Sequence, residues 1–310
     1  MRILFMGTPE ISEICLKKLI DGGKNVVAAV TREDKPRGRG NVMTPTPVKV
    51  LAEENGIPVY TPKTLRDGEF MKLLEEISPD LIVVVAYGKI LPPEVINFTK
   101  YGCINLHVSL LPKYRGAAPM QRAIMEGETE TGVTVMYMNE GLDTGDIIRA
   151  EKFPITETDD FETVHDKSAE IGGNLLLSVI DDIREGKAER VKQDDSLATY
   201  AAKIEKEDCK IDFFSDAAVV DRKIRGVTPI PGAFAYLNGK MLKICRERVA
   251  EGNGKPGEVL AVNSSGEGSI LVACKTGALL VTSVKPEGKG QMSAGDFVRG
   301  RKINVGDILE

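Results

Sequence analysis

The sequence predicts a two-part α/β protein, in which a doubly wound, mostly parallel sheet is followed by a smaller C-terminal β-barrel. Three observations lead to this prediction. Apolar runs alternate with amphipathic segments through residues 2–185, as strands and helices do in βαβ units. The run PDLIVVVAYG at 79–88 is almost continuously apolar, which is typical of a parallel strand buried on both faces. After residue 207, short alternating runs are punctuated by glycine, a pattern that favours a small barrel.

The first part opens with a β-α-β unit. Residues 2–7 and 26–31 are short apolar runs, and the segment between them places Ile11, Ile14 and Leu19 near helical spacing. Further strands are predicted at 79–88, 103–107, 133–138 and 146–150. Helices are predicted at about 45–55, 67–77, 117–126 and 160–185. This alternation indicates a Rossmann-like open sheet.

The second part begins after a polar, densely charged stretch. We therefore predict a catalytic domain at 1–188, a linker at 189–206 and a β-barrel domain at 207–310. The barrel segment holds 15 Lys/Arg against 13 Asp/Glu, whereas the rest of the chain holds 26 against 33. The barrel is the less acidic half, which is consistent with an OB-like, oligonucleotide-binding module.

Composition excludes several classes of protein. With 42% hydrophobic and 28% charged residues, the chain has the composition of a soluble globular protein. The start MRILFMGTPEIS lacks the apolar length of a signal peptide or membrane span, so we expect a cytoplasmic protein with no membrane partner. The five cysteines are far apart and lack the paired spacing of zinc ligands, so we expect reduced thiols and no metal.

The turn after the first strand argues against a dinucleotide cofactor. It is GTPE, with one glycine where a dinucleotide-binding turn has three to admit a pyrophosphate. Open α/β sheets bind their ligands at the carboxyl ends of the middle strands. We therefore expect the site at that edge of the sheet.

Asn105, His107 and Asp143 are predicted to meet at that edge. Asn105, His107 and Ser109 alternate, so in a strand they would share one face. Asn105 and His107 belong to INLH, and Asp143 lies in GLDTGDII just before another strand. An amide, an imidazole and a carboxylate suit acyl transfer: the amide donates to an oxyanion, the imidazole shares its charge, and the carboxylate tunes the imidazole and accepts a proton. We expect direct attack by an amine, without a covalent enzyme intermediate.

Each of these residues alone also has a plain structural interpretation. An Asp in a glycine-rich loop is usually a turn residue, and a histidine on a strand is usually a satisfied core residue. His165, the only other histidine, lies on the predicted long helix and is assigned a structural role.

At these motifs the chain resembles the folate-dependent formyltransferases. NLHVSLLPKYRGAAPMQRAI and ETGVTVMYMNEGLDTGDII are similar to the signature of that family, and VVVAYGKILP is similar to its folate-pocket strand and loop. The resemblance implies catalytic roles for Asn105, His107 and Asp143. It also implies that 10-formyltetrahydrofolate is the co-substrate and that these residues bind it: Ser109, Leu110, Leu111, Pro112, Tyr87, Gly88 and Leu91.

The resemblance also indicates the acceptor. TREDKPRGRGNVMTPTPVK at 31–49 is longer than a usual βα connection and is similar to the loop with which family members that act on initiator methionyl-tRNA meet its acceptor end. This implies tRNA contacts for Arg37 and Arg39, and YAAKIEKEDCKIDF implies them for Lys203 and Lys206. The implied function is formyl transfer to the α-amino group of methionyl-tRNA for translation initiation, by an enzyme that we expect to be a monomer.

Three alternatives stay open. A sugar-nucleotide N-formyltransferase would share the three catalytic residues and could also carry a small second domain. A formyltetrahydrofolate hydrolase would use water as the acceptor. A folate-binding or RNA-binding protein without catalysis would keep the scaffold but would not need the three residues.

Overall fold

The computed structural model describes residues 1–37 and 42–310, without the side chain of Arg37. The described chain divides into two compact units. The first unit contains Met1–Pro119, Glu130–Pro154 and His165–Ala201. The second unit contains Met120–Thr129, Ile155–Val164 and Ala202–Glu310. The domain boundaries predicted from the sequence, 1–188, 189–206 and 207–310, stay a prediction.

The strands and helices follow in chain order. The strands up to residue 201 are β1 (Ile3–Gly7), β2 (Val26–Val30), β3 (Lys35–Arg37), β4 (Val42–Thr44), β5 (Val59–Tyr60), β6 (Leu81–Val85), β7 (Cys103–His107), β8 (Arg115–Gly116), β9 (Glu130–Tyr137), β10 (Ile147–Pro154) and β11 (Tyr200–Ala201). The later strands are β12 (Phe234–Leu237), β13 (Lys240–Arg246), β14 (Val249–Ala250), β15 (Val259–Asn263), β16 (Ser269–Ala273), β17 (Ala278–Val281), β18 (Ser283–Pro286) and β19 (Met292–Ser293). The helices are α1 (Glu10–Asp21), α2 (Pro47–Glu54), α3 (Gly68–Ile77), α4 (Pro93–Ile96), α5 (Pro119–Glu126), α6 (Phe161–Glu185), α7 (Ala217–Val227) and α8 (Ala294–Arg299).

The first unit is built on a seven-stranded sheet of order β10-β9-β7-β6-β1-β2-β5. The pairs from β7 to β5 are parallel, whereas β9 and β10 add an antiparallel hairpin at the opposite edge. Every residue of β1 and β6 is buried, as expected for parallel strands covered on both faces. The chain extends the sheet from β1 to β2 on one side and later returns to place β6 on the other. The predicted α/β fold class is confirmed.

Local sequence explains where several helices begin. Thr46 caps α2 by accepting a hydrogen bond from the Lys49 N–H at 3.2 Å, and Pro47 occupies the first turn, where its missing N–H costs nothing. Asp67 caps α3 in the same way, by accepting from the Phe70 N–H. These helices lie where apolar periodicity predicted them.

Two sequence predictions for the strands differ from the structure. Strand β7 ends at His107, so Ser109 follows the strand instead of sharing its face with Asn105 and His107. Strands β9 and β10 are longer than predicted, because they pair with each other along most of their length as an antiparallel hairpin. The exposed charged residues of β10 interrupt the apolar run on which the sequence prediction depended.

In the second unit, the strands form two antiparallel four-stranded sheets, β12-β13-β18-β19 and β14-β17-β16-β15. Both sheets contribute to one hydrophobic core, which contains Phe234 and Ile244 from the first sheet and Ile270 and Leu279 from the second. The predicted C-terminal antiparallel module is therefore present, with its glycine-punctuated runs forming the strands.

Glu247, between β13 and β14, gives the second unit a pH-dependent stability. Burial raises its pKa to about 8, and the Asp221 carboxylate acts in the same direction against the opposing Arg225. The pKa of Glu247 is higher in the folded protein than in the unfolded chain. The contribution of the protonated side chain to the stability of this unit is therefore fully present below the unfolded pKa, and it is lost as the pH rises through about 8. We expect Glu247→Gln to raise the melting temperature by a few degrees at about pH 9 and by much less at about pH 5. Glu251→Gln, at an exposed position, is the matched control, and an equal shift at both pH values would contradict the assignment.

Candidate active site

The candidate site lies where the winding of the sheet changes direction, at the carboxyl ends of β1, β6 and β7. In open α/β sheets, adjacent crossovers diverge at such a point, and ligands bind there. Two side-chain hydroxyl groups connect the start of α1 to the end of β6. Thr8 Oγ1 donates to the carbonyl oxygen of Tyr87 at 3.0 Å, and Ser12 Oγ donates to that of Val85 at 2.6 Å.

Asn105 and His107 are two residues apart on β7, so their side chains share one face of the sheet. Asn105 is half-buried, and its side-chain amide makes no hydrogen bond to any residue that the structure describes. Both of its N–H donors are therefore available to a ligand. His107 is buried, with an exposed fraction of 6%, and is paired across the sheet with Thr134.

The His107 ring lies between a carboxylate and a carbonyl group. Its Nδ1 atom is 3.7 Å from Oδ2 of Asp143, and its Nε2 atom is 2.9 Å from the carbonyl oxygen of Tyr114. A carbonyl oxygen only accepts hydrogen bonds, so Nε2 must carry a proton. A second proton, on Nδ1, would face the Asp143 carboxylate.

Asp143 is held in position by backbone groups. Its Oδ2 atom accepts a hydrogen bond from the Gly116 N–H at 2.8 Å. Its own backbone is left-handed, with φ of 53°, a conformation that is uncommon for a residue with a side chain. Gly116 has φ of 118°, and a Cβ there would lie 2.8 Å from the carbonyl oxygen of Ala201. Only glycine fits this position, because β8 pairs closely with β11.

Sequence reasoning missed two side chains of this site, Gln193 and Arg115. Gln193 is 6% exposed and Arg115 is 2% exposed. The amide of Gln193 contacts the loop that carries Asp143, and Arg115 contacts that amide. Gln193 lies in the stretch predicted as a linker, where neither hydrophobic periodicity nor a motif distinguishes it from exposed polar residues.

The residues predicted to bind folate after β6 are largely buried. Tyr87 and Leu91 are 1% and 5% exposed and belong to one hydrophobic cluster. The Tyr87 hydroxyl makes no hydrogen bond within the described residues, and burial raises the pKa of Tyr87 to about 12. Gly88 is exposed, with φ of 80°, and a Cβ there would lie 3.3 Å from Nη1 of Arg32. Substitution at Gly88 would therefore strain this loop.

The other predicted folate residues, Ser109 to Pro112, form the turn after β7. Ser109 is fully buried, and its hydroxyl donates to the carbonyl oxygen of Lys113 at 2.7 Å. Thr134 Oγ1 donates to the Ser109 carbonyl oxygen at 2.7 Å and accepts from the Leu111 N–H at 3.2 Å. The hydroxyl of Ser109 thus stabilises the turn, and the half-buried Leu110 and Pro112 are the members of the segment most open to a ligand.

The residues predicted to bind tRNA are only partly described. Arg39 lies outside the described residues, as does the side chain of Arg37. Lys203 and Lys206 are exposed, and Nζ of Lys203 is 3.5 Å from Oε1 of Glu205. Such a solvent-exposed pair contributes little stability and leaves the ammonium group accessible to another partner.

No group of three His, Cys, Asp or Glu residues arranged to hold a metal ion occurs in residues 1–37 and 42–310. The five cysteines are unpaired, and four of them are buried. Within the same described residues, no helix is both long enough and apolar enough to cross a membrane.

Comparison with known proteins assigns the chain to a family. Residues 1–180 match the family model described as formyl transferase, and residues 203–302 match the model of the formyl transferase C-terminal domain. Methionyl-tRNA formyltransferase of Citrifermentans bemidjiense is 47% identical over 309 residues, which cover 100% of this chain and 96% of that protein. The enzyme of the same name from Geotalea uraniireducens is also 47% identical, over 100% of this chain and 98% of that protein.

Solved structures share the fold at lower identity. HypX from Aquifex aeolicus in complex with tetrahydrofolic acid superposes with a TM-score of 0.66 at 20% identity, over 100% of this chain and 50% of that chain. The chain thus spans about half the length of HypX. An N-formyltransferase from Helicobacter canadensis, in complex with folinic acid and dTDP-3-aminofucose, superposes with a TM-score of 0.64 at 18% identity, over 90% of this chain and 98% of that chain.

The α/β fold and its two matched domains define the class as group-transfer enzymes of the formyl transferase type. The chain belongs to the formyl transferase family. Within the family, its similarity extends over the full length of the methionyl-tRNA formyltransferases.

Proposed function

We propose that the chain transfers a formyl group from 10-formyltetrahydrofolate to the α-amino group of methionyl-tRNA. The observation that carries the chemistry is the unpaired amide of Asn105 beside the His107–Asp143 pair, at the carboxyl edge of the sheet. The full-length similarity to methionyl-tRNA formyltransferases supports the choice of acceptor.

The proposed reaction is direct attack by the amine on the formyl carbon. The new C–N bond turns the carbonyl oxygen into an oxyanion, which accepts hydrogen bonds from the Asn105 amide. His107, whose Nδ1 atom faces Asp143, helps to stabilise this negative charge. Asp143 accepts the proton that the attacking amine loses. The bond from the formyl carbon to N10 of the folate then breaks, and N10 takes up a proton as tetrahydrofolate leaves.

The folate is proposed to bind beside this trio, along the loop after β6 and the turn after β7. Tyr87 and Leu91 supply a buried apolar wall, and the exposed backbone of Gly88 allows close approach of a ring system. Leu110 to Pro112 would line the opposite side, held by the hydrogen bonds to Thr134 and Ser109. No metal is required by this mechanism, because the reacting charges are met by side chains.

Arg122 supports the proposed tRNA contacts within the second unit. Its guanidinium group donates to the carbonyl oxygens of Ala202 and Lys203, at 3.1 and 3.2 Å, and to both carboxylate oxygens of Asp208, at 3.1 and 2.8 Å. Hydrogen bonds from Arg122 hold the pKa of Asp208 below its usual value. Arg122 thereby fixes the segment 202–208, which carries Lys203 and Lys206.

We expect Arg122→Leu to weaken tRNA binding by roughly threefold to tenfold, because loosening the segment disperses the lysines that neutralise phosphates. Filter binding over a range of salt concentrations measures the affinity and its salt dependence. Arg299→Leu, which removes an arginine elsewhere in the second unit, serves as the control. Unchanged affinity in Arg122→Leu would remove the segment from tRNA recognition.

A formyl-transfer assay with three acceptors tests the function. Purified protein is supplied with 10-formyltetrahydrofolate and with methionyl-tRNA, a dTDP-amino sugar or no acceptor. Formylation of methionyl-tRNA at a rate well above the other reactions is expected. Preferred formylation of the sugar would make the protein a sugar-nucleotide N-formyltransferase. Equal release of tetrahydrofolate without an acceptor would make it a hydrolase, and no turnover in any reaction would contradict the catalytic proposal.

A further inference from the structure

We infer that Gln193 is a positioning residue for formyl transfer, which fixes the loop of Asp143 and thereby aims its carboxylate. The inference rests on the proposed role of Asp143 and extends it to a side chain that touches no reacting atom. Gln193 belongs to the polar stretch between β10 and β11, yet it is buried beside the candidate site.

The amide nitrogen of Gln193 donates to two carbonyl groups of the loop that carries Asp143, and it also lies 3.9 Å from Sδ of Met136. Its Nε2 atom donates to the carbonyl oxygen of Asp143 at 2.9 Å and to that of Gly145 at 2.8 Å. One of these carbonyl groups belongs to Asp143 itself, and the other belongs to the second residue after it. A single amide therefore fixes the backbone at Asp143 and two residues after it.

Arg115 determines which way this amide points. Its Nε and Nη2 atoms donate to Oε1 of Gln193 at 3.1 and 2.7 Å. A guanidinium group has no acceptor, so it must face the oxygen of the amide and leave the nitrogen to face the loop. Arg115 is itself 2% exposed, and Nη2 also donates to Oδ1 of the exposed Asp195 at 2.8 Å. Asp195 thus contacts Arg115, Arg115 contacts Gln193, and Gln193 contacts the loop.

The loop needs this support because its backbone is unusual. Asp143 is left-handed, and no strand or helix contains residues 138–146. The neighbouring Gly145 passes so close to β9 that a Cβ there would overlap the carbonyl oxygen of Tyr137. Asp143 Oδ2 is 3.7 Å from His107 Nδ1, and a displacement of about 1 Å at a reacting group can cost about 10²-fold in rate.

The Gln193→Glu variant tests the inference with almost no change in shape. The carboxylate still accepts from Arg115, but it presents an oxygen to the two loop carbonyl groups and repels them. We expect kcat for methionyl-tRNA to fall roughly 10- to 10²-fold, and KM for both substrates to change by less than about threefold. Gln291→Glu, at an exposed position in the second unit, makes the same chemical change as a control and is expected to leave kcat unchanged.

A double-mutant cycle distinguishes positioning from a general structural role. If Gln193 acts through the Asp143 carboxylate, Gln193→Glu should cause little further loss in an Asp143→Asn background. Single-turnover formylation measures the rate in both backgrounds. An equally large loss in the two backgrounds would overturn the inference. So would a kcat of Gln193→Glu within about threefold of wild type.

If Gln193→Glu fails to fold, Gln193→Asn provides the same test. The shorter side chain keeps the amide but cannot reach Arg115 and both carbonyl groups together, so a smaller loss in kcat is expected, and wild-type kcat would overturn the inference. The outcomes also separate the two proposals. Full activity in Asp143→Asn contradicts the proposed role of Asp143, whereas an inactive Asp143→Asn with fully active Gln193 variants contradicts only the positioning role.

Discussion

Replacing Asp143 with asparagine is expected to lower the rate of formyl transfer by roughly 10²- to 10⁴-fold, the usual cost of losing a positioned acid/base group. The amide cannot accept the amine proton as a base, and the substitution removes the carboxylate that lies 3.7 Å from Nδ1 of His107. Because Asp143 is proposed to touch the reacting amine and not the folate, tetrahydrofolate affinity should stay within about threefold of wild type. Rapid-quench formylation and fluorescence titration with tetrahydrofolate measure the two quantities.

Asp146→Asn is the matched control for this experiment. Asp146 lies three residues further along the same loop, half-buried, with its carboxylate 4.0 Å from Nη1 of Arg190. The change is chemically the same but removes no group from the proposed mechanism. Near-wild-type turnover in Asp143→Asn, or an equal loss in Asp146→Asn, would show that Asp143 is not the acid/base residue.

Truncating Asn105 to alanine is expected to lower the single-turnover rate by roughly 10²- to 10³-fold, as the loss of one oxyanion donor commonly does. The amide has no partner among the described residues, so its removal leaves no protein group unsatisfied and should change stability little. The affinities for folate and methionyl-tRNA should be almost unchanged, because the oxyanion exists only after the amine has attacked.

Asn97→Ala provides the comparison for Asn105→Ala. Asn97 is an exposed asparagine that ends α4 and donates to the carbonyl oxygen of Pro93, and its loss should leave the rate unchanged. If Asn105→Ala bound either substrate more weakly but turned over bound substrate at the wild-type rate, Asn105 would be a docking residue and not an oxyanion donor.

Many strands and helices of the first unit could be predicted, because the pattern of apolar residues within each segment indicates its secondary structure. The buried run at 81–85 and the amphipathic spacing at 161–185 belong to single elements, and each element is determined by its own residues. The meeting of His107 with Asp143 was predicted from the sequence, but the strand order does not account for it, because β10 begins level with Asn105 and not with the carboxyl end of β7. The loop of Asp143 starts beside Cys103, at the amino end of β7, and reaches the His107 ring with support from Gly116 and Gln193.

The support of the site could not be predicted, because it depends on contacts between distant segments. Gly116 donates to Asp143 from 27 residues away in the chain, and Gln193 reaches the same loop from 50 residues away. In a charged stretch, the neighbouring residues in the sequence do not show whether a glutamine is buried or exposed. The turn of Ser109 was misplaced on the strand face for a related reason, since alternation of polar residues does not show where pairing stops.

The pairing of β11 with β8 has a consequence for dividing this chain into halves. Val191 exchanges two backbone hydrogen bonds with Ile147, at 2.8 and 2.9 Å, and Tyr200 and Ala201 pair with Arg115 and Gly116. A break in the chain after residue 188 would leave an N-terminal fragment without these residues. An N-terminal fragment that keeps these hydrogen bonds must extend at least to Ala201, and it then also contains Met120–Thr129 and Ile155–Val164, which belong to the second unit.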